Sequence, residues 1–114
     1  MSPRRADALK SSAPLFAALG DETRLHVLAR LSGGGPMSIT QLTEGTHVSR
    51  QAVTKHLGVL AGAGVVRDFR RGRERVWELR TQQLEQARRV LDRISTQWDR
   101  ALERLRVMIE DQPE

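Results

Sequence analysis

Two helix starts with almost nothing between them constrain this chain more than any other feature. Ser38-Ile39-Thr40-Gln41 has the capping-box form: the serine hydroxyl can take a backbone N–H from the glutamine, whose side chain reaches back to the serine N–H. Ile39 and Leu42 are the core residues of the short helix it opens, and Gly45 stops that helix. After Thr46, His47 and Val48, Ser49 caps a second helix running from Arg50 to Leu60, with Gly64 closing it. Val53, Leu57 and Leu60 recur at i, i+4 and i+7, which gives this helix one apolar face. The opposite face carries Arg50, Gln51, Thr54 and Lys55. The turn is too short to let the helices part, so the first must brace the second.

The flanking segments supply the rest of one domain. Ser12 to Leu19 reads as a helix with Leu15, Phe16 and Leu19 on one face, ended by Gly20. Asp21 is a natural N-cap for a following helix, with Glu22 in its first turn and Leu25, Leu28 and Leu31, with Val27 nearby, as its buried stripe, ending at Ser32. Gly33-Gly34-Gly35-Pro36 is a loop by composition. Val65–Arg70 and Arg75–Leu79 are rich in β-branched and aromatic residues around an Arg71-Gly72-Arg73-Glu74 turn, which predicts a β-hairpin. A long helix follows, capped by Thr81 and reaching about Ile109. The expected organisation is a disordered segment 1–11, a domain over 12–80, a terminal helix over 81–110 and a frayed tail over 111–114. The fold class is mainly α with a small β-hairpin, in the order α-α-α-α-β-β-α.

Composition narrows the function. The absence of cysteine excludes disulfides, thiolate metal sites and cysteine nucleophiles, and three histidines are few for a metal centre. No apolar run approaches the roughly 20 residues needed to span a bilayer, so a cytoplasmic protein without a membrane partner is expected. The net charge of +5 points to a polyanionic partner, and its location is telling. From His47 to Arg80, eight basic residues (Arg50, Lys55, Arg67, Arg70, Arg71, Arg73, Arg75, Arg80) face three acids (Asp68, Glu74, Glu78). From Thr81 onward six arginines face seven acids. The excess positive charge therefore lies in the middle of the chain.

A braced helix with a basic, polar face can enter the major groove of double-stranded DNA with its first residues against base edges. Arg50 suits a two-point contact with guanine, Gln51 one with adenine, and Thr54 a thymine methyl or a phosphate. Ser49 and Lys55 suit phosphate. The arginines of the hairpin, Arg71, Arg73 and Arg75, suit a narrow minor groove. The plainer readings are a solvated helix face and an edge hairpin kept soluble by charge, though acids would serve that second purpose equally well.

Asp21-Glu22-Thr23-Arg24, Ser38-Ile39-Thr40-Gln41-Leu42, Val48 to Leu60 with its Ser-x-x-x-Val-x-x-His-Leu-x-x-Leu pattern, Ala63-Gly64-Val65-Val66 and the Arg71-Gly72-Arg73-Glu74 turn together resemble the ArsR-type winged helix-turn-helix regulators. The resemblance spans roughly Leu15 to Leu79. It implies a winged helix-turn-helix fold, a homodimer, and operator binding that usually represses, with Ser38, Thr40, Ser49, Arg50, Gln51, Thr54, Lys55, His56, Arg71, Arg73 and Arg75 as the DNA-contacting set. Metal-sensing members place cysteines at the start of the third helix, or His and acidic ligands on the last. Here the early positions are Ser38, Ile39 and Thr40, and the last helix has no histidine. The chain thus resembles a cysteine-free branch with no metal or other cofactor, whose small-molecule effector, if any, no motif reveals.

In the last helix Leu84, Ala87, Leu91, Ile94, Trp98, Ala101, Leu105 and Met108 alternate in steps of three and four, the period of helices lying side by side. Val90, Leu102 and Ile109 widen the stripe. A helix this long must project past the domain and expose its leucines and Trp98 unless something covers them. The expected cover is the same helix of a second copy, aided by Leu15 and Phe16, giving an interface of Leu15, Phe16, Leu84, Ala87, Leu91, Ile94, Trp98, Leu102 and Leu105. The plainer reading is packing on its own domain.

His26 reads as solvated, His47 falls in the interhelical turn, and His56 fits either a structural hydrogen bond or a phosphate contact. None stands with an acid or nucleophile at a catalytic spacing, so no catalytic residue is assigned and no enzyme is expected. Gly58 and Gly62 fit either tight packing or tolerated weakness. Two other functions share this fold: a protein-interaction module, which a neutral or apolar second helix would favour, and a regulator with an effector site near Trp98.

Overall fold

The computed structural model describes residues 3–111. Its elements are α1 (Pro3–Leu19), α2 (Glu22–Gly34), β1 (Met37–Ser38), α3 (Ile39–Glu44), α4 (Arg50–Gly62), β2 (Val66–Arg71), β3 (Glu74–Leu79) and α5 (Thr81–Glu110). Helices dominate, and the three strands form one antiparallel sheet in the order β1-β3-β2.

Local chemistry explains most boundaries. The Asp21 carboxylate accepts the Arg24 N–H at 3.0 Å and starts α2. Both halves of the capping box at Ser38 and Gln41 are present, at 3.2 Å and 3.0 Å. Ser49 accepts the Ala52 N–H at 3.1 Å to start α4. That helix ends in a paired closure: Val65 N–H donates to Leu60 O and Gly64 N–H to Ala61 O, each at 3.0 Å. The closure needs a left-handed residue at position 64, where Gly64 has φ 77°.

Several expectations are corrected. The first helix begins at Pro3 rather than Ser12, taking in most of the segment 1–11 expected to be disordered. Starting at Ser12 would have put Pro14 in the first turn, where its missing N–H is harmless; the structure carries it inside the helix. The second helix continues through Gly33 and Gly34, and Gly35, with φ 73°, returns its N–H to Leu31 O. Leu25 is exposed, while Val27, Leu28 and Leu31 are buried as expected. β1 was not foreseen: two residues leave no periodicity, and it exists through pairing Met37 with Trp77 and Ser38 with Val76. Thr81 lies inside α5, whose N-cap, Arg80, makes no side-chain capping bond. Of the tail expected at 111–114, Asp111 ends α5 and the remainder lies outside the described residues.

The core joins all the helices except the distal part of α5. Leu15 and Ala18, Val27, Leu28 and Leu31, Leu42, Val53, Leu57 and Leu60, Val65 and Val66, Trp77 and Ala87 form one buried cluster. Beyond Val90 no residue of α5 is buried. At 1.5 Å per residue this helix is about 45 Å long. The radius of gyration is 19.5 Å, against about 13 Å for a compact chain of this length.

Candidate nucleic-acid interface

The helix-turn-helix is held from behind by α2. Arg30 donates from one guanidinium nitrogen to Gln41 O at 2.8 Å and Leu42 O at 3.0 Å, carbonyls at the end of α3 that have no intrahelical partner. The Arg30 guanidinium lies so close over Gly45 that a Cβ there would displace it. His26 donates from Nε2 to Gly45 O at 2.9 Å, so it fastens the turn rather than standing free in solvent. Thr46 stiffens the turn, donating to Thr43 O at 3.2 Å and accepting from Val48 N–H.

So braced, α4 buries Val53, Leu57 and Leu60 completely and turns Arg50, Gln51, Thr54 and Lys55 outward. Ser49 and Thr40 are exposed with them. Thr54 returns its hydroxyl hydrogen to Arg50 O at 2.9 Å, which leaves its oxygen and methyl facing solvent. Ser38 does not join this surface. It is 4% exposed and spends its hydroxyl on Gln41, so capping removes it from the expected contact set. His56 sits half-buried on the flank of α4, its Nδ1 3.3 Å from the Arg24 guanidinium and 3.8 Å from Asp21. Of the two roles open to it, the structural hydrogen bond is the one formed. The Arg24 N–H, foremost, and the charge of the Arg24 guanidinium hold the Asp21 carboxyl below its ordinary range.

The hairpin is tighter than expected. β2 extends to Arg71 and β3 begins at Glu74, leaving a two-residue turn of Gly72 and Arg73. Gly72 has φ 64° and, among the described residues, no non-glycine residue, Arg73 included, has positive φ, the signature of a type II′ turn. Register decides which charges are free. Arg67 opposes Glu78 and pairs with it at 2.5 Å, while Arg75 pairs diagonally with Asp68. Arg71 lies over the Phe69 ring at 5.8 Å and Arg75 over Trp77 at 6.0 Å. Among the described residues Arg70, Arg71 and Arg73 have no carboxylate at ion-pair distance. Arg70 also stands directly opposite Arg75, a like-charge pair that costs the sheet energy.

The apolar stripe of α5 is divided. Ala87 at 5% and Val90 at 2% exposure pack on the subunit's own core, as does Leu15 of α1 at 3%. Leu84 and Phe16 are half-buried against the same cluster. Leu15 and Ala87 therefore leave the expected interface, because their own domain already fills the space around them. Leu91, Ile94, Trp98, Leu102 and Leu105 stay exposed, Trp98 at 63%, and Met108 and Ile109 continue the strip.

Known proteins share this arrangement. A helix-turn-helix domain family matches residues 19–68. The HTH-type transcriptional regulator Rv2034 of Mycobacterium tuberculosis is 40% identical over 87 residues, covering 76% of this chain and 78% of that one. The solved structure of an ArsR-like transcriptional regulator from Rhodococcus sp. RHA1 superposes with a TM-score of 0.81 at 34% identity, covering 99% of this chain and 100% of the other. This chain belongs to the ArsR family of transcriptional regulators. A further solved structure, the homodimeric winged helix-turn-helix domain of Mb0332 from Mycobacterium bovis, a possible ArsR-family regulator, shares the fold at 22% identity and a TM-score of 0.64 over 85% of this chain and 88% of that one.

Within this ArsR-family regulator, α3, α4 and the hairpin are the helix-turn-helix and its wing. Among the described residues, no three His, Cys, Asp or Glu side chains gather where they could hold a metal ion. Sequence reasoning missed the brace from Arg24, Arg30 and His26. Arg24 belongs to the Asp21-Glu22-Thr23-Arg24 run that resembles the family, but contacts spanning 19 and 32 residues leave no local pattern to find.

Proposed function

We propose that this regulator is a homodimeric repressor that reads a palindromic operator in double-stranded DNA and does not respond to metals. The observation that carries the reading is the joint exposure of Arg50, Gln51, Thr54 and Lys55 at the start of α4 beside a wing whose Arg70, Arg71 and Arg73 lack carboxylate partners. Bases are read by Arg50 and Gln51, where two-point hydrogen bonds distinguish guanine and adenine. Phosphates are held by Ser49, Lys55 and Thr40, and the N-terminus of α4 adds its unpaired amides. The wing offers Arg71 and Arg73 to a minor groove, and phosphate beside Arg70 and Arg75 relieves their opposition across the ladder.

The second copy covers the exposed strip from Leu91 to Leu105 on α5, aided by Phe16 and Leu84. Two-fold pairing then presents two α4 helices to successive turns of the groove, which requires a palindromic site. The reading is tested by recovering preferred duplexes from a random-sequence pool and measuring affinity against salt. If each subunit neutralises about three to five phosphates, the log–log slope for the dimer is about −5 to −9. A slope near zero, or no preferred sequence, overturns it. Zinc, cadmium and arsenite at stoichiometric concentrations are expected to leave binding unchanged.

A further inference from the structure

Three helices meet at one guanidinium. Arg24 donates from Nε to Ala18 O at 2.5 Å and from Nη2 to Ala17 O at 3.4 Å, so it caps the carbonyl end of α1. Its Nη1 reaches His56 Nδ1 on α4 at 3.3 Å. Its own backbone N–H is held by Asp21, the N-cap of α2. α1 is also the helix against which α5 packs. Arg24 thus links the helix supporting the proposed dimer strip to the helix carrying Arg50 and Gln51.

We propose that Arg24 and His56 form a joint that sets the tilt of α4 against α1, and that protonating the His56 ring releases it, so that discrimination between DNA sequences falls on acidification. The inference rests on the reading of α4 as the DNA-contacting helix.

A guanidinium can only donate, so Nδ1 must accept and the ring must be the neutral tautomer with its hydrogen on Nε2. Protonation adds the ring's second N–H hydrogen, on Nδ1, where it faces a donor that cannot receive it. Asp21 Oδ2, 3.8 Å away, is the acceptor within reach. The ring therefore turns from Arg24 toward Asp21, and α4 exchanges its tether to the end of α1 for one to the start of α2. Among the described residues the charged groups facing the ring are Arg24 and Asp21; α1 meets the joint through the Ala17 and Ala18 carbonyls, and Lys55, next along α4, is exposed. The added positive charge strengthens attraction to any DNA, so specific and non-specific affinity separate in opposite directions. His56 acts here as a positioning residue.

The test uses the full chain, the tightest duplex recovered from a random pool by the wild type, and a scrambled duplex of equal length. Their affinity ratio is measured from about pH 8 to about pH 5.5. In the wild type the ratio is expected to fall about tenfold or more, the order of one hydrogen bond to a charged group, here moved from α1 to α2. His56→Asn puts an amide oxygen near the place of Nδ1 and cannot be protonated in this range. It should keep the wild-type ratio at pH 8 and hold it to pH 5.5. Arg24→Gln should have the low ratio at every pH, with circular dichroism confirming its fold. If Arg24→Gln does not fold, the His56→Asn comparison decides alone. A His56→Asn protein that follows the wild-type decline assigns it to His26 or His47 and overturns the joint. A folded His56→Asn protein that cannot discriminate at pH 8, or a wild type that discriminates equally at both ends, also overturns it. Failure to recover any preferred duplex instead overturns the DNA reading itself.

Discussion

Helices α4 and α5 each carry apolar residues at helical spacing, and their own chain treats them differently. On α4 the stripe of Val53, Leu57 and Leu60 is wholly enclosed, and what remains outside is polar and basic. On α5 the subunit encloses Ala87 and Val90 and leaves Leu91, Trp98, Leu102 and Leu105 in water. A helix whose apolar face is filled from within its own domain becomes a rigid mount for whatever its other face presents. A helix whose apolar face is left unfilled is free to take cover from outside its own domain, as large exposed apolar strips mark interaction sites. The first arrangement suits reading a ligand, the second assembly.

Substitutions that exchange these roles are the sharpest tests. Trp98→Glu or Leu91→Glu places a carboxylate in the proposed seam, and two-fold symmetry places it there twice. Each unpaired buried charge costs about 3–5 kcal/mol, enough to give monomers that retain the helical circular dichroism of the fold. Sedimentation should show the monomer, and operator affinity should fall far more than non-specific affinity because the two half-sites lose their linkage. A stable dimer would mean that the strip is not the interface.

Leu57→Ala should act in the opposite way. It opens a cavity in a fully enclosed site and should cost about 2–5 kcal/mol in urea unfolding at fixed concentration, without a specific effect on assembly. Unfolding indistinguishable from wild type would mean that α4 is not mounted on the core as described.

On the outer face of α4, Arg50→Ala and Gln51→Ala should each cost about 1–3 kcal/mol on the preferred duplex and relax the sequence preference recovered from a random pool. Intact preference in both would move base reading away from this helix. The wing should show the smallest effects, and unequal ones. Arg73→Ala should weaken binding to most sequences alike and lower the salt slope by about one unit per subunit. Arg67→Ala should change affinity by less than about 0.5 kcal/mol, because Glu78 already holds that charge at the surface. Equal losses from both would show that the cross-strand pairs do not govern which arginines act.

Features set by neighbouring residues were legible in the sequence. The Ser38 and Ser49 caps, the Gly64 closure, the hairpin with Gly72 at its tip and the buried face of α4 all depend on residues within one or two turns of chain. Features set by distant contacts were not. Nothing near Ser38 reveals that its hydroxyl is enclosed, because the enclosure comes with pairing Ser38 to Val76. Nothing near His56 points to Arg24. The heptad steps in α5 were plain, yet they could not show that Ala87 is taken by its own domain while Leu91 is left free, since either face of such a stripe meets a core equally well. Gly58 and Gly62 are partly resolved: a Cβ at either would meet nothing within 4 Å, so packing within the subunit does not demand glycine there.

The most direct test of a two-fold reader is the footprint of the wild-type chain on its preferred duplex. The expected result is two symmetry-related protected half-sites, with centres about 10–10.5 base pairs apart or a multiple of that, bound by two chains per duplex. One asymmetric site occupied by a single chain would contradict it.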